Sequence, residues 1–222
     1  MIVDERIITF INSLDTKNSE ILEDIEREAL ADNVPIIRRE MQSFLKVLLM
    51  VKKPMRVLEV GTAVGFSALL MSEYVPEECA ITTIENYEKR IPIARQNFVR
   101  AGKEKKITLL EGDAMDVLKT LEGPYDFIFM DAAKGQYIHY MPEAVRLLSD
   151  GGILMSDNVL QDGDIIESRF AVERRNRTIH SRMRDYLYEL KHSDVLETSI
   201  IPLGDGVAPV SYTHLTLPTT SR

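Results

Sequence analysis

Acidic and amide side chains follow two neighbouring predicted strands, at the points where those strands end. Asp131 comes directly after the apolar run 125–130, and Asp157 and Asn158 come after the run 152–156. Because adjacent parallel strands end at one edge of a sheet, we expect these three side chains to lie together. Two carboxylates and an amide, without His or Cys, are ligands typical of a hard cation such as Mg²⁺. The alternative for each acid taken separately is a helix cap.

A lysine lies close to the first of these acids. Lys134 is one helical turn on from Asp131. A lysine near a divalent cation in a half-buried cleft can serve as a general base. The alternative interpretation is a salt bridge from Lys134 to Asp131.

Glycines follow the first predicted strand, in the segment 59–67. Gly61 and Gly65 allow a tight turn and let a ligand lie against the backbone. The central glycine of G-x-G-x-x-G is missing, which argues against an NAD-dependent dehydrogenase. Glu85 ends the next predicted strand, where it could accept hydrogen bonds from both ribose hydroxyls or stand at a helix N-terminus. Asp113 could cap the following helix, lie beside an adenine amino group, or do both.

The segment 169–184 is strongly basic in an acidic chain. It carries one acid, Glu173, and six arginines: Arg169, Arg174, Arg175, Arg177, Arg182 and Arg184. The whole chain has a net charge of −8, so any nucleic-acid contact must come from a local patch such as this one. The alternative is a solvated helix face that pairs with acids of a partner subunit.

The hydrophobic pattern predicts the scaffold that positions these residues. From residue 55 onwards, short apolar runs alternate with longer helical patterns, which indicates an α/β fold with a parallel sheet covered on both faces. We expect strands at 56–60, 80–85, 107–110, 125–130, 152–156 and 196–202. We expect helices at 66–74, 87–101, 114–121, 136–148 and, for the most part, 165–190.

Length and composition place limits on the class of protein. The chain has 222 residues, of which 45% are hydrophobic and 28% charged, as in an ordinary globular protein. Its single cysteine, Cys79, excludes a disulfide framework and a multi-cysteine metal site. The sequence shows neither an export signal nor an apolar run of about 20 residues, so we expect a cytoplasmic protein with no membrane partner.

The predicted organisation has three parts. Residues 1–52 form an N-terminal helical extension, and residues 53–208 form the catalytic domain. Residues 209–222 are rich in Thr and contain Pro209 and Pro218, which lack the N–H that a strand ladder needs. We therefore predict that this end is a non-native tail standing where a last strand should be.

Over residues 30–208 the motifs resemble the cation-dependent O-methyltransferases that use S-adenosylmethionine, the group of the catechol and caffeoyl-CoA enzymes. The matching motifs are Glu59-x-Gly61-Thr-Ala-x-Gly65-Phe-Ser67, Glu85, Gly112-Asp113-Ala114, Asp131-Ala-Ala-Lys134 and Asp157-Asn158-Val159-Leu160. Within this group the chain is similar to the bacterial tRNA 5-hydroxyuridine methyltransferases. That similarity rests on Val34-Pro35-Ile36, Asp131 to Tyr137, Arg174-Arg175-x-Arg177 and Ile201-Pro202-x-Gly204-Asp205-Gly206.

The resemblance implies a Rossmann-like class I methyltransferase fold with a mostly parallel seven-stranded sheet, and it assigns roles to the matched residues. The residues implied in S-adenosylmethionine binding are Met41, Glu59, Gly61, Ser67, Glu85, Asp113, Ala114 and Asp131. Those implied in Mg²⁺ binding are Asp131, Asp157 and Asn158. Lys134, with Asp131, would be catalytic, taking the substrate proton or steadying the oxyanion, and Arg174, Arg175 and Arg177 would bind RNA.

The expected reaction is methylation of the wobble 5-hydroxyuridine of tRNA to 5-methoxyuridine. One alternative is an O-methyltransferase acting on a small catechol-like or caffeoyl-CoA-like substrate, which has no evident use for six arginines. Another is a nucleotide-binding or metal-binding module without turnover. The resemblance, together with the apolar N-terminal helices, also suggests a homodimer.

Overall fold

The apolar runs 56–60 and 125–130 form adjacent central strands of a sheet in the computed structural model, which describes residues 3–213. Over these residues the sheet has seven strands in the order β3-β2-β1-β4-β5-β7-β6. The strands are β1 (Arg56–Val60), β2 (Ala80–Glu85), β3 (Ile107–Glu111), β4 (Tyr125–Met130), β5 (Leu148–Ser156), β6 (Leu196–Thr198) and β7 (Ala208–Tyr212). Strands β1 to β5 pair in parallel, and β7 pairs antiparallel with β5 and β6. The predicted α/β class and the seven-stranded Rossmann-like sheet are confirmed.

Helices cover both faces of this sheet. They are α1 (Glu5–Ser13), α2 (Glu20–Ala31), α3 (Arg39–Lys52), α4 (Phe66–Tyr74), α5 (Ile91–Arg100), α6 (Ala114–Thr120), α7 (Tyr137–Leu147) and α8 (Arg177–His192). Short 3₁₀ helices lie at Lys134–Gln136, Gln161–Ile166 and Arg174–Asn176. Within residues 3–213, no helix combines the length and the apolar character that crossing a membrane requires.

The expected helix 165–190 is wrong in its first half. Regular helix begins only at Arg177, and the preceding chain consists of 3₁₀ turns and irregular loop. Glu167 and Glu173 both have extended backbone angles, with ψ of 162° and 139°, which no α-helix accommodates. Helix α5 likewise begins at Ile91 rather than near Tyr87, because Pro92 in its first turn is pre-organised for a helix start.

The N-terminal helices are less separate from the catalytic domain than we expected. Leu22 and Ile25 of α2 and Leu45 and Leu49 of α3 are almost fully buried in the core that covers one face of the sheet. Burying such a side chain contributes about 1.5–3 kcal/mol. Helices α2 and α3 are therefore part of the domain, whereas α1 has no buried residue.

The sequence around Pro209 forms an interior strand, so the prediction that the fold ends at residue 208 is wrong. Strand β7 lies between β5 and β6, with Ala208 and Val210 buried. The carbonyl of Pro209 accepts from Ser199 N (3.0 Å), on the side of β6. In an antiparallel strand, the nitrogen and the carbonyl of one residue face the same neighbouring strand. The nitrogen of Pro209, which carries no hydrogen, therefore also faces the side of β6, and β6 has already ended at Thr198. Pairing of β7 with β5 is unaffected. Residues 214–222 of the predicted tail lie outside the described residues.

Candidate functional site

A cavity of about 610 Å³ opens at the carboxyl ends of the parallel strands. The chain reverses its strand order between β1 and β4, and ligands of open α/β sheets bind at such a point. The volume is within the range of small-molecule sites. The predicted site residues that line the cavity are Gly61, Ser67, Glu85, Ala114, Asp131, Lys134, Asp157 and Asn158.

The glycine-containing loop after β1 forms one wall of this cavity. Gly61 has a φ of 104°, and a Cβ atom there would overlap the carbonyl oxygen of Asp131. Only glycine therefore lets the end of β1 pack this closely on the end of β4. The carboxylate of Glu85 accepts from Ala63 N (2.7 Å), Asn86 N (2.9 Å) and Tyr87 N (2.9 Å). Glu85 thus joins the loop to the end of β2 while lining the cavity, as a ribose-binding acid would.

Glu59 lies beneath the loop and does not line the cavity. It is fully buried and accepts hydrogen bonds from Ser67 Oγ and from Thr83 Oγ1, the latter at 2.5 Å. Burial raises the pKa of Glu59 to about 7, although both hydroxyl donors act in the opposite direction. The structure therefore gives Glu59 a supporting position under the loop rather than contact with a ligand.

Two other residues predicted for cofactor binding also lie outside the lining. Met41 is 1% exposed and points from α3 into the core beneath the sheet. Asp113 caps α6, accepting from Met115 N at 2.8 Å, so its helix-cap interpretation is confirmed. Ala114, the next residue, does line the cavity.

The three predicted cation ligands meet at the ends of β4 and β5. Asp131 N donates to Val60 O, and Asp157 N donates to Met130 O, both at 3.0 Å, so each acid directly follows the last residue of its strand. Burial raises the pKa of both carboxyls, and the charge of Asp131 raises that of Asp157 further. Asn158 adopts a left-handed backbone with φ 59°, a conformation that Asn tolerates better than most residues.

This donor set fits a hard cation. Within residues 3–213, no three His, Cys, Asp or Glu side chains form a metal-binding group. Two carboxylates plus the Asn158 amide leave ligand positions for water and substrate, as is usual for Mg²⁺. A cation between Asp131 and Asp157 would also relieve the repulsion between them.

Addition of Mg²⁺ is expected to raise the melting temperature. At a concentration 100 times Kd, binding stabilises the fold by about 2.7 kcal/mol, or about 5–10 °C for a chain of this length. Differential scanning fluorimetry with and without EDTA measures the shift. Asp157→Asn should melt at the same temperature with and without Mg²⁺, while Asp164→Asn, an exposed acid of the Gln161–Ile166 turn, should respond like the wild type. No shift in the wild type would contradict the cation site.

Lys134 pairs with an acid that we had assigned no role. Its Nζ lies 2.9 Å from Oδ2 of Asp205, so the alternative of a salt bridge to Asp131 is wrong. Asp205 is 5% exposed and also accepts from Asp162 N. Lys134 still lowers the pKa of Asp131 by its charge, which shows that the two groups are close.

The mouth of the cavity carries further residues that we did not predict. Arg38 and Asp162 form a long ion pair (3.3 Å) between the segment before α3 and the turn after β5. The unpredicted polar residues of the lining are Arg38, Thr62, Asn86, Arg90, Tyr140, Asp162 and Asp205. Asp205 lies in Gly204-Asp205-Gly206, which is part of a motif of the family resemblance. That motif is the one sequence signal that could have identified Asp205 as a site residue.

The arginine-rich segment divides into two groups. The first donates to backbone carbonyls: Arg177 to Val172 and Phe170, Arg182 to Gly135, and Arg184 to Ile165. Arg177 is thus half-buried and engaged in the loop before α8, and its predicted role in RNA binding stays a prediction. The second group is exposed and consists of Arg169, Arg174 and Arg175, of which Arg175 pairs with the surface acid Glu173 (2.7 Å). The Arg182 bond fixes α8 to the turn that carries Lys134.

Comparison with known proteins gives consistent similarities. An O-methyltransferase family model matches residues 12–211. A catechol O-methyltransferase of Niastella koreensis is 34% identical over 56% of this chain and 58% of its own length, so this chain spans little more than half of that relative. Caffeoyl-CoA O-methyltransferase 2 of Populus trichocarpa is 32% identical over 74% of this chain and 69% of its own. A methyltransferase from Podospora anserina, solved with S-adenosylhomocysteine bound, has a TM-score of 0.85, 26% identity and 94% coverage of both chains.

Proposed function

Since the chain belongs to the O-methyltransferase family, we propose that it carries a methyl group from S-adenosylmethionine to the hydroxyl of the wobble 5-hydroxyuridine of tRNA, with Mg²⁺ as its cation. Its general activity is methyl transfer to oxygen. The substrate proposal rests on one observation, the basic segment beside the reactive end of the cavity. Arg182 of α8 donates to the carbonyl of Gly135 (3.1 Å), which is next to Lys134. The exposed residues Arg174 and Arg175 lie just before the start of α8.

The cofactor would occupy the part of the cavity between the β1 loop and the end of β2. Glu85 is positioned to accept from ribose hydroxyls, and Gly61 of the β1 loop lines the same part of the cavity. Ala114 and Gly112 line the side of β3, where an adenine would lie. S-adenosylmethionine supplies the methyl group as an electrophile on a positively charged sulfur.

Asp131, Asp157 and Asn158 would hold the cation at the other end of the cavity. A bound Mg²⁺ supplies Lewis acidity that favours the deprotonated form of a substrate hydroxyl. Lys134 donates to Asp205, and an ammonium so engaged has no lone pair with which to accept a proton. Lys134 therefore fits the role of steadying the substrate oxyanion better than that of a base. The substrate hydroxyl would lose its proton to solvent, and Lys134 would steady the resulting oxyanion. The oxygen would bond to the methyl carbon as the carbon–sulfur bond breaks, and S-adenosylhomocysteine would leave. Positioning of the two reactants provides most of the acceleration.

The double charge reversal Arg174→Glu with Arg175→Glu is expected to weaken tRNA binding. Losing two phosphate contacts in a single-stranded loop should reduce the slope of log affinity against log salt by about 1.4. Binding is measured by filter retention at several salt concentrations. The control, Lys105→Glu with Lys119→Glu, makes the same charge change on exposed residues at the opposite end of the strands. Equal effects from both pairs would remove Arg174 and Arg175 from the RNA site.

A small phenol is the second candidate substrate, favoured by the catechol and caffeoyl-CoA relatives. The two candidates share cofactor, cation and Lys134, and they differ in their use of the basic segment. Rates with a catechol and with tRNA carrying 5-hydroxyuridine should be compared at equal enzyme concentration. The proposal predicts a much higher kcat/KM for tRNA, which the double reversal lowers without changing the catechol rate. A preference for the catechol would overturn it.

A homodimer and a cytoplasmic location complete the proposal. Helix α1 exposes Ile7, Phe10 and Ile11, and the residue after it, Leu14, is exposed as well. Helix α3, which contacts α1, exposes Val47, Met50 and Val51. A patch of this kind on a protein surface usually marks an interaction site. Sedimentation equilibrium measures the assembly, and Phe10→Glu with Val51→Glu should shift it towards the monomer.

A further inference from the structure

We infer that Tyr137 is a positioning residue that fixes the separation of the two candidate cation-binding acids, Asp131 and Asp157. The inference rests on the cation site of the proposed function but does not depend on which substrate is methylated.

The hydroxyl of Tyr137 lies where the ends of β4 and β5 separate. It is within hydrogen-bonding distance of three backbone groups: Met130 O (3.2 Å), Asp157 O (3.1 Å) and Ala132 N (3.3 Å). Met130 and Ala132 flank Asp131, and the third group belongs to Asp157 itself. One side-chain oxygen thus contacts the backbone on both sides of one acid and at the other acid.

The regular ladder between the two strands stops just before this point. Its last paired residues are Met130 and Ser156, followed by the bond from Asp157 N to Met130 O. Beyond it, one chain turns into the Lys134–Gln136 3₁₀ helix, and the other enters the left-handed conformation of Asn158. The Tyr137 hydroxyl therefore bridges the strands where ladder bonds no longer do so.

The position of Tyr137 is itself well determined. Its side chain is fully buried, and its ring packs edge-on against Tyr186 with centroids 5.6 Å apart. The hydroxyl of Tyr186 is bonded to Ser156 Oγ (2.6 Å), so the second ring is also fixed. The hydroxyl shares its one proton between Met130 O and Asp157 O, and its oxygen accepts from Ala132 N.

Mg²⁺ tolerates little deviation in ligand geometry, because it demands near-octahedral coordination at about 2.0–2.1 Å. A small change in the spacing of Asp131 and Asp157 should therefore weaken binding although both carboxylates remain. Removing a group that orients metal ligands commonly costs 10–100-fold in affinity.

Tyr137→Phe tests the inference, with Tyr186→Phe as the matched control. Both changes delete one buried hydroxyl and keep the ring, and only Tyr137 contacts the backbone at both acids. Mn²⁺ is titrated into each full-length variant, and free Mn²⁺ is followed by electron paramagnetic resonance. We expect Kd to rise at least about tenfold for Tyr137→Phe and to stay within about twofold of wild type for Tyr186→Phe.

Melting curves and S-adenosylmethionine titrations separate this effect from a general loss of structure. The melting temperature should fall by a similar amount in both variants. The affinity of Tyr137→Phe for S-adenosylmethionine should fall much less than its affinity for Mn²⁺, since the Glu85 end of the cavity is untouched. The spectrum of Mn²⁺ bound to Tyr137→Phe at saturation should also be broadened by distorted coordination. Unchanged Mn²⁺ affinity in Tyr137→Phe, or equal weakening in both variants, would overturn the inference. Wild-type protein that binds Mn²⁺ but fails to methylate tRNA would refute only the proposed substrate.

Discussion

Replacing Asp157 with asparagine is expected to lower kcat/KM about 1000-fold, because a cation contributes several kcal/mol of charge stabilisation and about 1.4 kcal/mol corresponds to tenfold. Asparagine keeps the size of the side chain and an oxygen that can accept from Asn158 N, as Asp157 Oδ1 does at 2.7 Å. The substitution removes the charge and replaces the second carboxylate oxygen by an NH₂ group. Initial rates are measured with saturating Mg²⁺ and again with EDTA.

The loss should not come from unfolding. Burial and the neighbouring charge of Asp131 already disfavour the ionised form of Asp157, so a neutral side chain should not reduce the free energy of unfolding in the absence of Mg²⁺. Asp164→Asn, which changes an exposed acid in the nearby turn, should retain wild-type rates. If Asp157→Asn were as active as the wild type and insensitive to EDTA, the cation would have no part in the reaction.

The second large effect is expected at Lys134. Lys134→Met should reduce kcat about 100- to 1000-fold, as commonly seen when a positioned catalytic group is removed, with little change in the KM for S-adenosylmethionine. The reason is loss of the positive charge near Asp131, where the substrate oxyanion would form. Single-turnover kinetics with saturating cofactor measure the chemical step directly.

The ion pair with Asp205 provides a control for a purely structural role. Lys134→Met leaves the buried Asp205 carboxylate without its cation, which by itself destabilises the fold. The double variant Lys134→Met with Asp205→Asn removes that unpaired charge. We expect the double variant to recover melting temperature but not activity. Recovered activity would mean that Lys134 serves only to neutralise Asp205.

Strand positions were largely predictable because the apolar runs are short and bounded by polar residues or glycine. The limits of β1, β2 and β4 agree with the expected 56–60, 80–85 and 125–130. The convergence of Asp131 and Asp157 follows from the same reasoning, since the ends of adjacent parallel strands meet whatever the intervening sequence is.

Other features depend on contacts that a local pattern does not contain. Asp205 reaches Lys134 only because β7 returns into the sheet beside β5, and Pro209 had argued against that strand. Met41 lies on a helix that could present either face to the cavity, and packing of α3 on the sheet turns it into the core. The number of arginines in a segment does not show whether their side chains face solvent or donate to backbone carbonyls, because a long side chain can do either. Arg177 and Arg182 donate to carbonyls of the protein.

The measurement that most directly tests the central claim is nucleoside mass spectrometry after reaction with tRNA. The purified protein is incubated with S-adenosylmethionine, Mg²⁺ and tRNA carrying 5-hydroxyuridine, and the tRNA is digested to nucleosides. We predict a 5-methoxyuridine peak that disappears with EDTA and in Asp157→Asn. The absence of that peak, in a preparation that methylates a catechol, would contradict the tRNA assignment.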